Sequence, residues 1–178
     1  GQRFSNEHEG YSEQAVKVLA QPGGIAWNVY DARIHTLGQT FPDYCAAEAA
    51  GAIRQGNVEE IANAIGAPLA DLKRTLADAA SYASGAADPF GRGFTGNPPL
   101  EKDLYAVRVT GALFHTQGGL DIDDHCRVLD EEGHAITGLY AGGGAACGVS
   151  GARVEGYLSG NGLLTAVALG YVTGKSAA

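Results

Sequence analysis

The fold is decided by residues 138–170, which read GLYAGGGAACGVSGARVEGYLSGNGLLTAVALG. An apolar run at residues 139–141 leads into consecutive glycines, and after a second glycine-rich loop Asn161 opens an apolar segment that Gly170 ends. This order predicts a buried strand, a loop whose backbone can approach a ligand closely, and a helix. Free N–H groups at the start of that helix would favour an anion or an electron-rich ring edge. The alternative is that the glycines serve close packing alone.

Composition narrows the class of protein. The 178 residues suffice for one domain or two small lobes, and a hydrophobic fraction of 45% can fill a sizeable core. The net charge of −8, without a basic cluster, disfavours nucleic acid and anionic membranes as partners. Because no membrane-length apolar run and no signal-peptide pattern is visible, we expect a cytoplasmic protein.

Metal and hydrolase chemistry find no support in the spacing of the residues. Cys45, Cys126 and Cys147 are far apart and match no metal or redox motif, which favours a reducing compartment. The five histidines show no ligand spacing, so we expect no metal site. Ser150 lies in the sequence GVSG, which does not match the G-x-S-x-G motif of hydrolases.

Residues 1–95 are predicted to form a mainly helical lobe. Apolar periodicity and capping signals predict helices over residues 11–20, 44–52, 58–65 and 68–85, and an alternating segment predicts a strand over residues 25–34. The third of these helices begins with a capping box, Asn57 followed by Glu60, and ends at Gly66. Asp43 is the expected cap of the second helix.

Residues 96–178 are predicted to form a β-rich segment closed by one helix. Alternating and apolar runs predict strands over residues 104–110, 120–123 and 126–129, followed by a turn at residues 130–133. The linker before them contains GRGFTG at residues 91–96, a literal GxGxxG. We reject it as a nucleotide-binding fingerprint, because no strand precedes it and two prolines forbid the helix that should follow.

Five motifs carry a resemblance to a known family. They are GQRFSNE at residues 1–7, HTQGGLDID at 115–123, RVLD at 127–130, GLYAGG at 138–143 and SGNGLL at 159–164. In order and spacing they resemble the C-terminal part of the flavoprotein family of soluble fumarate reductases, succinate dehydrogenase flavoprotein subunits and 3-ketosteroid dehydrogenases. The resemblance implies an FAD-dependent oxidoreductase that acts on CH–CH groups.

The same resemblance implies the fold. It predicts an α+β chain in which residues 1–95 form part of a helical capping domain for the substrate. Residues 96–178 would be a β-rich segment and C-terminal helix that complete a Rossmann-like FAD domain, whose N-terminal half is absent from this sequence and is its expected partner. Since the ADP half of FAD has no place here, we expect the isolated chain to bind FAD poorly. Exposed strand edges are expected to favour a homodimer.

The resemblance assigns cofactor contacts to glycine-rich positions. His115 is similar to a flavin-contacting position, with a structural histidine as the alternative. Gly144 stands where the family has a glutamate that contacts hydroxyls of the cofactor. The N–H groups of Gly162 and Leu163, which follow the equivalent of the family's GGN motif, would face flavin N1 and O2. The implied cofactor-binding residues are His115, Gly118, Gly119, Gly143, Gly144, Gly162, Leu163 and Leu164.

The implied substrate positions depart from those of the dicarboxylate-reducing members. The two arginines and the histidine that hold a dicarboxylate in those enzymes fall on Tyr11, Tyr157 and Phe114. Fumarate is therefore disfavoured, because guanidinium groups are the side chains that match carboxylates bidentately. Arg153 lies nearby in the sequence and is a candidate replacement.

Both tyrosines resemble instead those of the 3-ketosteroid dehydrogenases. That resemblance implies that Tyr11 removes a proton alpha to a ketone, while the Tyr157 hydroxyl and the Asn161 N–H hold the ketone oxygen. One such oxyanion donor is typically worth about 2.7–4 kcal/mol in the transition state. The alternatives are a packed ring at a helix start for Tyr11 and an aromatic seal over the cofactor for Tyr157.

Three functions remain open from the sequence. The favoured one is dehydrogenation or reduction of a C–C bond next to the carbonyl of an apolar, ketosteroid-like substrate. The second is a fumarate reductase-like enzyme whose carboxylate substrate is held by Arg153 and by residues outside this sequence. The third is a non-catalytic capping or assembly domain.

Overall fold

The computed structural model describes residues 1–94, 96–113 and 117–178, in two compact units, Gly1–Gly111 and Ala112–Ala178. The first unit contains α1 (Tyr11–Leu19), β1 (Ile25–Asp31), α2 (Ala32–Gly38), α3 (Pro42–Ala49), β2 (Ile53–Gly56), α4 (Val58–Ile65), α5 (Leu69–Ala83) and β3 (Leu104–Thr110). The second contains β4 (Arg127–Leu129), β5 (Ala135–Tyr140) and α6 (Asn161–Ala177), with short 3-10 helices at Gly143–Ala145 and Val154–Gly156. Every helix in these described ranges is too short or too polar to cross a membrane.

The first unit is built on a three-stranded antiparallel sheet in the order β1-β3-β2. The central strand β3 places Tyr105 opposite Tyr30 of β1 and opposite Gln55 of β2. Helices α4 and α5 pack against this sheet through apolar side chains. The fully buried members of this core are Ile61, Ala62, Leu72, Leu104 and Ala106.

Local signals set the ends of α4. The Asn57 side chain accepts a hydrogen bond from the Glu60 N–H at 3.1 Å, and the Glu60 carboxylate accepts one from the Asn57 N–H at 2.8 Å. The helix stops at Gly66, which adopts a left-handed conformation with φ of 70°. The predicted capping box and helix end are both confirmed.

Other predicted boundaries in the first unit need correction. The strand predicted over residues 25–34 ends at Asp31, because the Asp31 carboxylate accepts the Arg33 N–H at 3.1 Å and so caps α2. The next helix, α3, begins at Pro42 with Phe41 as its cap residue, so Asp43 lies in the first turn and is not the cap.

An aromatic cluster joins the α2–α3 pair to the sheet. The Tyr44 hydroxyl lies 2.6 Å from the Tyr30 hydroxyl and 2.9 Å from His35 Nδ1, and the His35 ring stacks on Tyr105 at 4.1 Å. Burial and the hydrogen bond with Tyr44 raise the pKa of Tyr30, so its phenol stays protonated at neutral pH. The cluster therefore serves packing and orientation of the two helices.

The second unit has fewer regular elements. β4 and β5 form a two-stranded antiparallel sheet, and isolated bridges join Leu120 to Ala146 and Ile122 to Val128. Its buried core consists of Val128, Ala141 and Ala146, with Ile122 and Leu169 packed against them. The predicted strand at 126–129 is present as β4, whereas the run 120–123 forms single bridges only.

Two predictions about residues 138–170 are wrong. The strand that ends at Tyr140 is not buried, since Ile136 is 40% and Leu139 is 44% exposed and β4 is its one neighbour among the described strands. The helix does not end at Gly170 but continues to Ala177. A glycine inside a helix costs roughly 0.5–1 kcal/mol relative to alanine, which the flanking helix-forming residues can offset.

The division into units falls later in the chain than residue 95. The strand predicted over residues 104–110 exists as β3, but it lies in the first unit because it is the central strand between β1 and β2. The first unit is accordingly a mixed helix–sheet unit that extends to Gly111. The correspondence of residues 1–95 and 96–178 to capping and FAD domains stays a prediction.

Candidate functional site

The start of α6 carries unused backbone donors. Gly160, with φ of 82°, turns the chain into the helix, and the Asn161 N–H donates to the Leu158 carbonyl at 3.2 Å. The Leu164 N–H donates to the Gly160 carbonyl at 3.1 Å. Among the described residues no acceptor meets the N–H groups of Gly162 and Leu163. These groups form the positive end of the helix dipole, as the sequence predicts.

The preceding loop is tied to the first turn of α6. Asn161 Nδ2 donates to Ser150 Oγ at 2.7 Å, and the Thr165 hydroxyl donates to the Asn161 carbonyl at 2.8 Å. A Cβ atom on Gly148 would lie 3.0 Å from Thr165 Cγ2, so this glycine permits the loop to lie directly on the helix. Ser150 itself is buried. These contacts hold the Asn161 backbone in place.

The segment around Gly118 and Gly119 joins the same loop. The Gly118 N–H donates to the Gly151 carbonyl at 2.8 Å. Gly119 adopts φ of 138°, and a Cβ there would approach the Ala146 carbonyl carbon to 2.6 Å. Only glycine fits this position, because both its conformation and its distance to the neighbouring backbone exclude a side chain.

Of glycines 142 to 144, the first two pack against α6 and the third faces open space. A Cβ on Gly142 would lie 3.3 Å from Leu169 Cβ, and one on Gly143 would lie 3.4 Å from Ala166 Cα. These two glycines allow the loop to pack closely on α6, which is the alternative that the sequence left open. A Cβ on Gly144 would have no atom within 4 Å, so this position remains open to a ligand.

The polar residues proposed for the substrate lie in different surroundings. Tyr157 is half-buried and follows the short helix Val154–Gly156, where its N–H donates to the Val154 carbonyl at 3.2 Å. The Arg153 side chain is 85% exposed, and its Nε lies 3.6 Å from Glu155. Arg153 and Glu155 border, together with Ser150 and Gly151, an open depression of about 600 Å³. Tyr11 is the first residue of α1 in the first unit and is 67% exposed.

The second unit thus brings together most of the predicted cofactor residues. The group comprises Gly118, Gly119, Gly143, Gly144, Gly162, Leu163 and Leu164. Asn161, which was predicted to take part in catalysis, is the first residue of α6. His115 and Phe114 lie outside the described residues. The expectation that the Asn161 N–H holds a ketone oxygen meets a competing contact, since this N–H is already used by Leu158. The sequence did not predict the hydrogen bond between Ser150 and Asn161, because the motif GVSG does not indicate which residue Ser150 contacts.

A second polar cluster, in the first unit, was also missed. Arg3 donates to Glu7 at 2.7 Å and to Asp88, and Arg92 donates to Glu7 at 3.1 Å. The Asp88 side chain is 2% exposed. The hydrogen bond from Arg3 lowers the pKa of Asp88. Burial alone would raise the pKa of Glu7, but hydrogen bonds from Arg3 and Arg92 hold it below its usual value.

Metal binding finds no support in this geometry. Within residues 1–94, 96–113 and 117–178 no group of His, Cys, Asp and Glu is arranged to hold a metal ion. The thiols of Cys45, Cys126 and Cys147 are all unpaired.

Comparison with known proteins decides the family. The family described as an FAD binding domain matches residues 1–163. The chain belongs to this family. The predicted resemblance and the predicted cofactor, FAD, are thereby confirmed.

Two relatives align with this chain over its full length. The protein named "Probable fumarate reductase Ifc3" of Shewanella frigidimarina is 32% identical over 179 residues, covering 100% of this chain and 30% of the relative. A 4-oxocyclohexanecarboxylate 2-dehydrogenase of Sinomonas cyclohexanicum is 30% identical, covering 100% of this chain and 38% of the relative. The chain therefore spans about a third of the length of these curated relatives.

A solved structure supports the similarity of fold. The 3-ketosteroid delta1-dehydrogenase of Sterolibacterium denitrificans, in complex with 1,4-androstadiene-3,17-dione, superposes with a TM-score of 0.73 at 29% identity. The match covers 99% of this chain and 37% of that chain.

Proposed function

We propose that this chain is part of a longer FAD-dependent oxidoreductase that acts on a C–C bond next to a carbonyl. The observation that carries the proposal is the start of α6, where the Gly162 and Leu163 N–H groups have no acceptor among the described residues of a chain of the FAD-binding family. An oxidoreductase of this kind agrees with the names of the relatives, among them a fumarate reductase and a 4-oxocyclohexanecarboxylate dehydrogenase.

The residues present fit the electron-rich edge of a flavin. FAD, when bound, supplies a two-electron acceptor or donor next to the substrate. The N–H groups of Gly162 and Leu163 would stabilise negative charge at flavin N1 and O2, an effect of roughly 0.3–2 kcal/mol for a charge at a helix N-terminus. Gly144 has no side chain, and the space around its Cα is open, so the cofactor could approach the backbone there.

We assign the proton and oxygen chemistry to the two tyrosines. Tyr11, in its deprotonated phenolate form, takes a proton from the carbon alpha to the carbonyl and becomes a neutral phenol. The Tyr157 hydroxyl donates a hydrogen bond to the carbonyl oxygen as it gains enolate charge. The half-buried position of Tyr157 next to the α6 start supports its part. The Asn161 N–H could join it only if its bond to the Leu158 carbonyl were released.

An apolar carbonyl substrate is favoured over a dicarboxylate. Arg153, the candidate carboxylate ligand, is largely exposed and lies close to Glu155, which offsets its charge. The neighbouring depression therefore offers no buried guanidinium for a carboxylate. A carboxylate substrate remains the second candidate, because relatives include fumarate reductases.

We further propose that additional polypeptide of the same enzyme covers the second unit. On α6 the side chains of Leu163, Val167 and Tyr171 are 80%, 74% and 64% exposed, which is an unusual apolar surface for a free helix. The relatives' greater length agrees with this. We also propose a homodimer through the edges of the β4–β5 sheet and a cytoplasmic location.

Steady-state kinetics of the complete enzyme test the assignment. Tyr11→Phe and Tyr157→Phe should each lower turnover on an enone or ketone substrate by about a hundredfold or more, since each removes a group that acts in the transition state. Tyr171→Phe is the matched control, because the substitution keeps the ring that contacts Lys175 and the hydroxyl has no assigned role. Normal turnover in both test variants would reject the proposed chemistry. A carboxylate preference lost in Arg153→Gln would favour the second candidate.

A further inference from the structure

The Arg3–Asp88 cluster, defined as Arg3, Glu7, Asp88 and Arg92, connects two segments that are distant in sequence. Arg3 and Asp88 are 85 residues apart, and their side chains are 14% and 2% exposed. Glu7 receives hydrogen bonds from Arg3 and from Arg92. Breaking a buried ion pair by removing one partner leaves an uncompensated charge, so such a cluster fixes its members firmly.

A tight turn at residues 88–92 holds the Asp88 carboxylate in position. One Asp88 oxygen accepts the N–H groups of Phe90 and Arg92, at 3.2 and 2.8 Å. Gly91 adopts φ of 73°, which allows the chain to turn between them. The literal GxGxxG at residues 91–96 thus begins in a turn whose backbone orients Asp88 towards Arg3. This turn serves the Asp88–Arg3 contact and does not bind a phosphate.

Aromatic rings surround the Arg3 guanidinium. Its central carbon lies 5.8, 5.2 and 5.3 Å from the ring centres of Tyr82, Phe90 and Phe94. A planar guanidinium can stack on rings and bind carboxylates at the same time, whereas an ammonium group cannot reproduce this geometry. The site therefore requires arginine specifically.

The chain segment between Arg3 and Glu7 is tied to α1 by polar contacts of its own. The Ser5 hydroxyl donates to Gln14 Oε1 at 2.9 Å, and Gln14 Nε2 donates to the Asn6 carbonyl. The Asn6 side chain accepts the His8 N–H at 2.9 Å. Ser5 is buried, so this connection is shielded from water.

Helix α1 packs against β1 and β3 with half-buried side chains. The helix has no buried residue, and its cap residue, Gly10, makes no side-chain capping bond. At its other end Leu19 fits against Gly111, where a Cβ would come within 2.8 Å of the leucine side chain. The contacts of Ser5 and Asn6 with Gln14 therefore restrain the N-terminal turn, where Tyr11 lies. The ion pair between Lys17 and Glu9 adds to this restraint.

We propose that the Arg3–Asp88 cluster positions Tyr11, so that Arg3 and Asp88 are positioning residues for proton transfer. This inference rests on the proposed function of Tyr11. Small displacements of a reacting group are costly, since a misplacement of about 1 Å can lower a rate about a hundredfold. Loss of the cluster should therefore lower kcat while substrate binding, measured as KM, changes little.

The test uses Arg3→Lys in the complete, FAD-loaded enzyme, with Arg33→Lys as the matched control. Arg33 likewise binds a buried carboxylate, Asp31, in the same unit, and its described hydrogen bonds reach Asp31 and Pro99 but not residues 1–14. Arg3→Lys should lower kcat at least tenfold, leave KM within about twofold, and increase hydrogen–deuterium exchange in residues 5–14. Arg33→Lys should change neither kcat nor that exchange.

Further variants make each outcome decisive. Asp88→Asn, which can still accept the turn N–H groups but loses the ion pair, should reproduce the effect of Arg3→Lys. Unchanged kcat and unchanged exchange in either variant would overturn the inference. Global unfolding of both variants, with Arg33→Lys folded, would also overturn it, because the cluster would then serve overall stability. If Tyr11→Phe keeps normal turnover, the proposed function fails, and the exchange measurement separately decides whether the cluster orders residues 5–14.

Discussion

At the scale of single residues, backbone proximity explains several glycines without reference to a ligand. A Cβ on Gly156 would lie 2.1 Å from the Ser150 carbonyl oxygen, and one on Gly119 would lie 2.6 Å from the Ala146 backbone. Both distances are far below van der Waals contact, and the atoms met belong to the main chain. The loop before α6 therefore owes its shape to close packing between its own turns.

Gly156→Ala should displace this loop. Because the new methyl group meets a backbone oxygen that cannot rotate away, we expect the free energy of unfolding to fall by about 1–3 kcal/mol. Ser150 of this loop also binds Asn161 at the start of α6, so flavin binding by the complete enzyme should weaken as well. Urea denaturation and a flavin fluorescence titration measure the two effects.

Gly174→Ala is the control for that substitution. A Cβ there meets no atom within 4 Å, and the residue lies inside α6, where alanine is favoured over glycine. Its stability should be equal or slightly higher. Equal stability of Gly156→Ala and the wild-type chain would show that the turn can adapt.

At the same scale, the sequence motifs propose a chemistry for some positions but do not specify their contacts. The glycines at 162 and 144 were identified through motifs, and the structure leaves both unobstructed. The Ser150–Asn161 hydrogen bond and the Arg3–Asp88 pair could not be predicted, because neither residue type nor spacing specifies a partner 11 or 85 residues away.

At the scale of elements, α4 shows how local signals determine a helix. The Glu60 side chain folds back over Gly56 to reach the Asn57 N–H, and a Cβ on Gly56 would lie 2.5 Å from the Glu60 carboxylate. The apolar face then buries Ile61 and Ala62 in the core. Capping and burial act together here, so the helix start is well defined.

Removal of the capping box should destabilise the first unit measurably. We expect Asn57→Ala to lower the free energy of unfolding by about 1 kcal/mol, since it leaves the Glu60 N–H without its acceptor. Glu60→Ala removes the reciprocal bond, and the double variant should be less destabilised than the sum of the two, because they share one motif. Urea denaturation of the three variants measures this coupling.

Glu59→Ala provides the comparison for the capping residues. Glu59 is in the same first turn but is half exposed and pairs with Lys73 at the surface, where ion pairs contribute at most about 1 kcal/mol. Its loss of stability should be smaller than that of Asn57→Ala. The reverse order would contradict the assigned role of the cap.

Elements whose neighbours are distant in sequence were predicted less well. The alternation of residues 104–110 identifies a strand, yet it contains no information that β1 and β2 flank it, so the place of β3 in this sheet could not be predicted. Similarly, the apolar run that includes Leu139 predicts burial, whereas burial depends on which neighbours cover the strand. Strand existence follows from local pattern, but pairing and burial are long-range properties.

At the scale of the whole molecule, several of the carboxylates that make the chain acidic are paired with arginines, which lower their pKa. Burial opposes the charge of Asp31, but hydrogen bonds from Arg33 and from the Glu101 N–H lower its pKa. Asp88 and Glu7 in the first unit are held below their usual pKa by Arg3. In the second unit, the hydrogen bond from Arg127 lowers the pKa of Asp123 to about 2.

These shifts determine how stability depends on pH. A carboxyl group with a lower pKa in the folded than in the unfolded chain stabilises the fold fully above its unfolded pKa, near 4. That contribution is lost as the pH falls through the folded pKa, which for Asp123 extends the loss to about pH 2. The free energy of unfolding should therefore change little between about pH 7 and 5 and fall steeply below about pH 4.

Urea denaturation of the chain at pH 7, 5, 4 and 3 tests this dependence, with Asp88→Asn as the diagnostic variant. An amide cannot be protonated in this range, so Asp88→Asn should be less stable at pH 7 and should lose less stability on acidification than the wild-type chain. Asp43→Asn, an exposed position in the first turn of α3, is the control and should follow the wild-type curve. An Asp88→Asn curve parallel to the wild-type curve would mean that Asp88 has the same pKa in the folded and unfolded chain. The Arg3–Asp88 pair would then contribute nothing to acid sensitivity.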